Sequence, residues 1–157
     1  MFLIRAAVKE DVISIRKLFA DTIRETNADD YTEKQIEVWA SGADLEERWL
    51  EKFADQNFFV AEMNNQLAGF SSVTTTGYID FLFVHPGFQK QKIGAALLQR
   101  IERWALKEKI RLLNASVSIT AKTFFESNQF SLMNEQTVEV NGIHFINYTM
   151  FKLLSSR

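Results

Sequence analysis

The stretch Phe83-Val84-His85-Pro86-Gly87-Phe88-Gln89-Lys90-Gln91-Lys92-Ile93-Gly94-Ala95-Ala96-Leu97-Leu98 reads as the end of a strand, a sharp turn, a polar loop and the start of a helix. Proline ends the strand ladder because it has no N–H to give, and glycine permits the sharp exit. Ile93, Leu97, Ile101, Trp104 and Ala105 then fall on one helical face, with Gln99, Arg103 and Lys107 away from it. A loop of this kind aims the unpaired N–H groups of the first helical turn, and the positive end of the helix dipole, at one point. A phosphate is the natural guest there. Lys90 and Lys92 add positive charge, and Gly94 and Ala95 are expected to keep the approach open. The same pattern also suits an ordinary strand-to-helix turn with solvated lysines.

Working upstream, residues 78–84 form a strongly apolar strand, and Gly77 separates it from a hairpin of strands at 57–63 and 66–75 joined by Asn64-Asn65. Before the hairpin, residues 2–7 read as a short strand. A helix follows from Glu10-Asp11 through Glu25, with Ile15, Leu18, Phe19 and Ile23 inward. Thr32 and Gln35 form a capping box for a second helix, which Ser41-Gly42 interrupts. Asp44, with Glu47 three residues on, is expected to cap a third helix to about Asp55, with Leu45, Trp49, Leu50 and Phe53 inward. Downstream come a strand at 111–117, a short helix at 120–127, and strands at 130–140 and 143–153 joined by the Asn141-Gly142 turn. This order implies an α/β chain with a mixed sheet flanked by helices, in a single domain over residues 1–157.

Composition narrows the chemistry. The 157 residues are 46% hydrophobic, enough for one real core. Lys+Arg at 18 against Asp+Glu at 20 gives a net charge of -2, so no global positive field favours nucleic acid or an anionic membrane, and neither is an expected partner. The absence of cysteine removes disulfides, thiolate nucleophiles and Cys-ligated metals. Only His85 and His144 remain as imidazoles, so no metal is expected. The first is expected in the turn before Pro86 and the second on a hairpin face. The amino terminus lacks the apolar core of a secretory signal, and no apolar run approaches the ~18 residues of a membrane span, so the cytoplasm is the expected compartment.

Gln89-Lys90-Gln91-Lys92-Ile93-Gly94 resembles the Gln/Arg-x-x-Gly-x-Gly/Ala acyl-CoA motif of the GNAT acetyltransferase superfamily, in that family's strand-loop-helix setting. Ala121-Lys122-Thr123-Phe124-Phe125-Glu126-Ser127-Asn128-Gln129-Phe130 resembles its later Ala-x-x-Phe-Tyr-Glu-x-x-Gly-Phe signature. The element order is similar to the family's over essentially the whole chain. The resemblance implies a mixed, mostly antiparallel central sheet of about six to seven strands flanked by about four helices. It implies acetyl-CoA as acyl donor, held by Leu82, Phe83, Val84, Gln89, Lys90, Gln91, Lys92, Ile93, Gly94, Ala95, Ser118 and Phe125. It also implies transfer to a primary amine, of a small molecule or a peptide, by direct attack on the thioester. The alternative is a non-catalytic acyl-CoA sensor or interaction module.

The departures are specific. Lys92 stands at the motif's first glycine, so the loop is expected to do without a positive backbone angle there, or to use the ammonium instead. Phe125 replaces the tyrosine that many members use as general acid, and a phenyl ring has no proton to give. Gln129 replaces a glycine, and Ser118 stands where asparagine is common.

In the family the strand before the motif supplies backbone contacts to the thioester carbonyl, and the resemblance implies the N–H of Val84 as oxyanion donor. Asp80 is the only carboxylate in residues 78–84 and is a candidate general base, directly or through water; the other reading is that it accepts hydrogen bonds from a neighbouring loop or pairs with a basic side chain. Strand alternation puts Tyr78, Asp80, Leu82 and Val84 on one face. Tyr78 and Tyr148 are candidate acids, or packed strand aromatics. Tyr31, Trp39 and Trp49 fall in the helical region that the resemblance implies as one wall of the acceptor pocket, and aromatic walls suit a cation or a flat ring; Trp39 and Trp49 also fit a core role. The strand at 143–153 is a candidate homodimer edge or an intramolecular partner.

Overall fold

The computed structural model describes residues 1–155. Strand β1 (Leu3–Ala6) leads through a 3-10 turn into helix α1 (Val12–Thr26), followed by α2 (Glu33–Ala40) and α3 (Glu46–Asp55). Strands β2 (Asn57–Met63), β3 (Gln66–Val73) and β4 (Tyr78–Val84) come next, then α4 (Ile93–Lys107), β5 (Leu112–Ser118), α5 (Lys122–Ser127), β6 (Ser131–Val140) and β7 (Ile143–Leu153). The strands form one seven-stranded sheet in the order β1-β2-β3-β4-β5-β7-β6. The β4–β5 pair is parallel and the other pairs are antiparallel, as the resemblance implies.

Each face of the sheet carries its own core. Helices α4 and α5 cover one face, where Leu97, Ile101, Leu113 and Met150 are fully buried. Helices α1 to α3 cover the other, with Ile15, Ile23, Val60 and Phe70 at its centre. Truncating one such residue to Ala costs about 2–5 kcal/mol. At the amino-terminal edge, Arg5 bonds both Asp11 and Glu62 at 2.8 Å, tying β1 and β2 to the start of α1. Its guanidinium holds the Asp11 carboxyl below its ordinary range.

Turn chemistry follows the residues. Asn64 and Asn65 take φ of 54° and 62°, and Asn141 and Gly142 take 49° and 79°, the left-handed pairs that two-residue hairpins need. Thr32 Oγ1 accepts from Gln35 N–H at 3.1 Å while Gln35 Oε1 accepts from Thr32 N–H at 2.8 Å, completing the capping box. Gln129 keeps φ 74° in place of glycine and closes α5 with Phe130 N–H donating to Phe125 C=O.

Several expectations are corrected. Asp44 does not cap α3: it ends a 3-10 turn, Leu45 is the cap residue, and no side chain bonds the helix start. Trp49 is buried, but Leu45 and Leu50 are exposed: Leu45 is the cap residue before the helix, and Leu50, next to Trp49, lies about 100° round the helix from it. Strand β7 is not an edge: it lies between β5 and β6 and is paired on both sides. The edge at this end of the sheet is β6, whose exposed side chains include Glu135 and Glu139, charges that discourage edge pairing.

Strand β4 departs most from its sequence pattern. Phe81 pairs with Ser72 and Ile79 with Val73, so Asp80 is the extra residue of a β-bulge. The bulge resets the alternation. Leu82 and Val84 pack on the α4 side, whereas Phe81 and Phe83 join the core under α1 to α3, and Asp80 faces that second side. Asp80 therefore does not share a face with Leu82 and Val84.

Candidate active site

The parallel pairing of β4 and β5 covers only Tyr78 with Asn114 and Ile79 with Ala115. The bulge at Asp80 comes directly after, and the extra twist it brings turns β4 away from β5. Beyond it the strands diverge into a V. Leu82, Phe83 and Val84 on one arm, and Ser116, Val117 and Ser118 on the other, line a cavity of about 730 Å³.

Backbone directions in the V follow from the ladder. His85 N–H donates to Ala68 C=O at 2.7 Å, so by antiparallel alternation Phe83 and Phe81 turn their polar groups toward β3. Leu82 and Val84 turn theirs the other way, into the V. The Val84 carbonyl accepts from Gln89 Nε2 at 2.6 Å and Thr22 Oγ1 at 3.4 Å, which agrees with that direction. Gln89 thus clamps the loop to the end of β4. His85 serves the turn, its Nδ1 accepting from Gly87 N–H at 3.0 Å.

The loop ends on the first turn of α4. Ala96 N–H is the first to bond back, to Lys92 C=O, which leaves the N–H groups of Ile93, Gly94 and Ala95 without helical acceptors. Lys90 and Lys92 take φ of 62° and 65°, so the loop does adopt left-handed angles, at a cost of about 1–2 kcal/mol per residue. The lysine at the glycine position keeps the glycine geometry and adds its charge. Gly94 is less open than expected: a Cβ there would lie 3.2 Å from the Phe124 ring and 3.6 Å from Val84.

On the other side of β4 lies an aromatic wall. Tyr31 meets Trp39 edge-on at 5.4 Å, and Phe145 lies 6.2 Å from Tyr31 and 6.3 Å from Trp39. Trp39 and Tyr31 line the cavity. Trp49 touches it too but belongs to the core, stacked on Phe81 at 4.7 Å, with its Nε1–H donating to Gly42 C=O at 3.0 Å. Asp80 Oδ2 accepts from Lys52 Nζ at 2.6 Å and Gln56 Nε2 at 2.8 Å, and Gln56 Oε1 accepts from Ser72. The pairing reading of Asp80 is the one this geometry favours.

The Tyr31 hydroxyl accepts from Ile119 N–H at 2.8 Å, just past the end of β5. Burial pushes its pKa up, so it holds its proton through neutral pH. Next to it, Thr120 Oγ1 donates to Asp30 Oδ2 at 2.7 Å.

The structure does not bring every candidate to the cavity. Tyr78, Tyr148 and Gln91 are not among its lining residues, whereas the remaining candidates are. Tyr78 sits at the closed end of the V, where its N–H donates to Thr74 Oγ1. The Tyr148 ring lies beneath Lys122 Nζ at 5.0 Å. Phe125 reaches the lining from the core, 4% exposed and edge-on to Phe130. Sequence reasoning missed Phe124, Lys52 and the β6–β7 hairpin, whose Val138, Asn141 and Phe145 complete the wall. Phe124 lies inside the second signature; nothing local marks the others.

A family model for the acetyltransferase (GNAT) domain matches residues 27–152. An uncharacterized N-acetyltransferase, YafP, of Escherichia coli (strain K12) is 37% identical over 133 residues, which is 85% of this chain and 83% of that protein. The crystal structure of a GCN5-related N-acetyltransferase from Rhodopseudomonas palustris superposes with a TM-score of 0.93 at 31% identity, covering 97% of this chain and 95% of that one. PaiA N-acetyltransferase from Thermoplasma acidophilum, solved in complex with coenzyme A, has a TM-score of 0.79 at 20% identity, covering 98% and 99%. With a splayed β4–β5 pair that ends on an anion-ready helix, and with these matches over most of its length, the chain belongs to the GNAT acetyltransferase family and is an acetyltransferase.

Proposed function

We propose that this chain is a single-domain cytoplasmic N-acetyltransferase that takes acetyl-CoA as donor in the β4–β5 V and a primary amine as acceptor against the aromatic wall. One observation carries the reading: Leu82 and Val84 present backbone donors into a cleft that ends on three unpaired N–H groups of α4. The residues suit such a donor. Lys90, Lys92 and the first turn of α4 offer charge and N–H groups for a pyrophosphate. Leu82, Phe83 and Ser118 flank the strip a pantetheine arm would follow, with Phe125 beneath it. The PaiA structure, which holds coenzyme A, supports the same choice of ligand.

Bound acetyl-CoA supplies the acetyl thioester. Val84 N–H is then the donor for the oxygen on which negative charge develops, and such a donor is worth about 3–4 kcal/mol in the transition state. Tyr31, Trp39, Phe83 and Phe145 hold the acceptor and exclude water. With Asp80 engaged by Lys52, the amine sheds its proton to solvent.

Calorimetric titration with acetyl-CoA and CoA, followed by thiol release against a panel of amines, tests the reading. Binding with release is the expected result. Replacing Lys90 by Gln together with Lys92→Gly weakens donor binding roughly tenfold and flattens its salt dependence. Binding without release on a broad panel favours the sensor alternative, and no binding leaves the family likeness as one of fold.

A further inference from the structure

We propose that Tyr31 is the general acid of this enzyme, supplying from the α1–α2 connection the phenol that Phe125 lacks on α5. The inference rests on the acetyl-CoA reading above. The chain has three tyrosines, and among the described residues Tyr31 alone lines the cavity. Its hydroxyl stands just past the carboxyl end of β5, the arm of the V opposite Val84, and both residues line the same cavity.

The phenol is held in place. Residues 30 and 31 are tied to residues 119 and 120 by two successive hydrogen bonds, Asp30 Oδ2 with Thr120 Oγ1 at 2.7 Å and Tyr31 Oη with Ile119 N–H at 2.8 Å. Because Tyr31 accepts in its bond, its own proton is left to donate. The other hydroxyls there are poorer acids. Thr22 points its Oγ1 at the Val84 carbonyl, Ser41 donates to Val38 C=O, and an aliphatic hydroxyl is far less acidic than a phenol. A phenol's pKa, ordinarily about 10, is raised here by burial, so Tyr31 is protonated at neutral pH and has a proton to give to the departing sulfur.

In the step, the amine nitrogen forms its bond to the acetyl carbon and the C–S bond breaks. The bonding pair leaves with sulfur, and Tyr31 gives sulfur its phenolic proton, so that free thiol departs. The amine's surplus proton goes to solvent, and solvent reprotonates the phenolate. No oxidant, metal or further reactant is required by this balance.

The test is steady-state kinetics of the full chain with acetyl-CoA and an amine that supports wild-type turnover. Tyr31→Phe keeps the ring and its aromatic contacts, and Thr120→Val cuts the neighbouring tie while leaving the phenol. An acid role predicts that Tyr31→Phe lowers kcat about 100-fold, with the amine KM and the acetyl-CoA Kd within threefold of wild type. Thr120→Val then keeps kcat within threefold. A kcat for Tyr31→Phe within threefold of wild type overturns the proposal, as does an equal fall in both variants, which marks a structural tie. Wild-type protein that binds acetyl-CoA yet releases no thiol with any amine overturns the transferase reading itself, and is seen before a variant is made.

Discussion

At the scale of single residues, Asp80 shows how position decides role. The one carboxylate in an apolar strand invites a catalytic reading, yet here it answers Lys52 and Gln56, both brought by or just beyond α3. Both members of the ion pair are largely buried, with side chains 17% and 23% exposed, so removing one charge strands the other. Asp80→Asn is expected to cost about 1–3 kcal/mol in thermal or urea unfolding. Its kcat at saturating amine stays within about threefold of wild type across pH, because a base that works through solvent is untouched. A 100-fold loss of kcat with unchanged stability returns Asp80 to the role of base. Lys92 makes the complementary point: it holds a glycine's conformation at φ 65° without being glycine.

At the scale of elements, the V depends on where β4 and β5 touch. Gly77, at φ 95°, accepts from Asn114 N–H at 3.1 Å, and a Cβ there would come within 2.5 Å of the Leu112 carbonyl oxygen. Only a residue with no side chain lets the two strands meet before they part. Gly77→Ala drives an atom into backbone in a left-handed conformation, and the expected loss is about 2–4 kcal/mol. Differential scanning calorimetry reads this as a fall in Tm of roughly 5–15 °C. A shift under 2 °C means the pivot lies elsewhere. The break in pairing that sequence shows as a lone glycine is thus the hinge point of the binding cleft.

At the scale of the whole molecule, the aromatic wall proposed to hold the acceptor is assembled from distant parts: the α1–α2 connection, α2, β4 and the β6–β7 hairpin. Gln35 joins two of them. Its Oε1 caps α2 and its Nε2 donates to His144 C=O at 2.7 Å, holding the hairpin over the helix. Gln35→Ala is expected to lose about 1 kcal/mol of stability and to raise the amine KM roughly three- to tenfold. The acetyl-CoA Kd stays unchanged if the donor binds, as proposed, between β4 and β5. Parallel titration and kinetics check the split, and an equal loss in both contradicts the division of the cavity.

The amino-acid sequence by itself determined the elements, their order and the anion-ready loop, because strand alternation, helical periodicity, the Asn turns and the Thr32 cap are local properties. It also determined the family, through two signatures in the right order. Tertiary structure alone decided the bulge at Asp80, the face each β4 residue takes, and the partners of Asp80. It alone removed Tyr78 and Tyr148 from the cavity and brought the Tyr31 hydroxyl to Ile119, 88 residues away. The physical reason is the same in each case. These contacts join groups far apart in the chain, and their energies depend on how the two faces of the sheet pack, which no window of sequence contains.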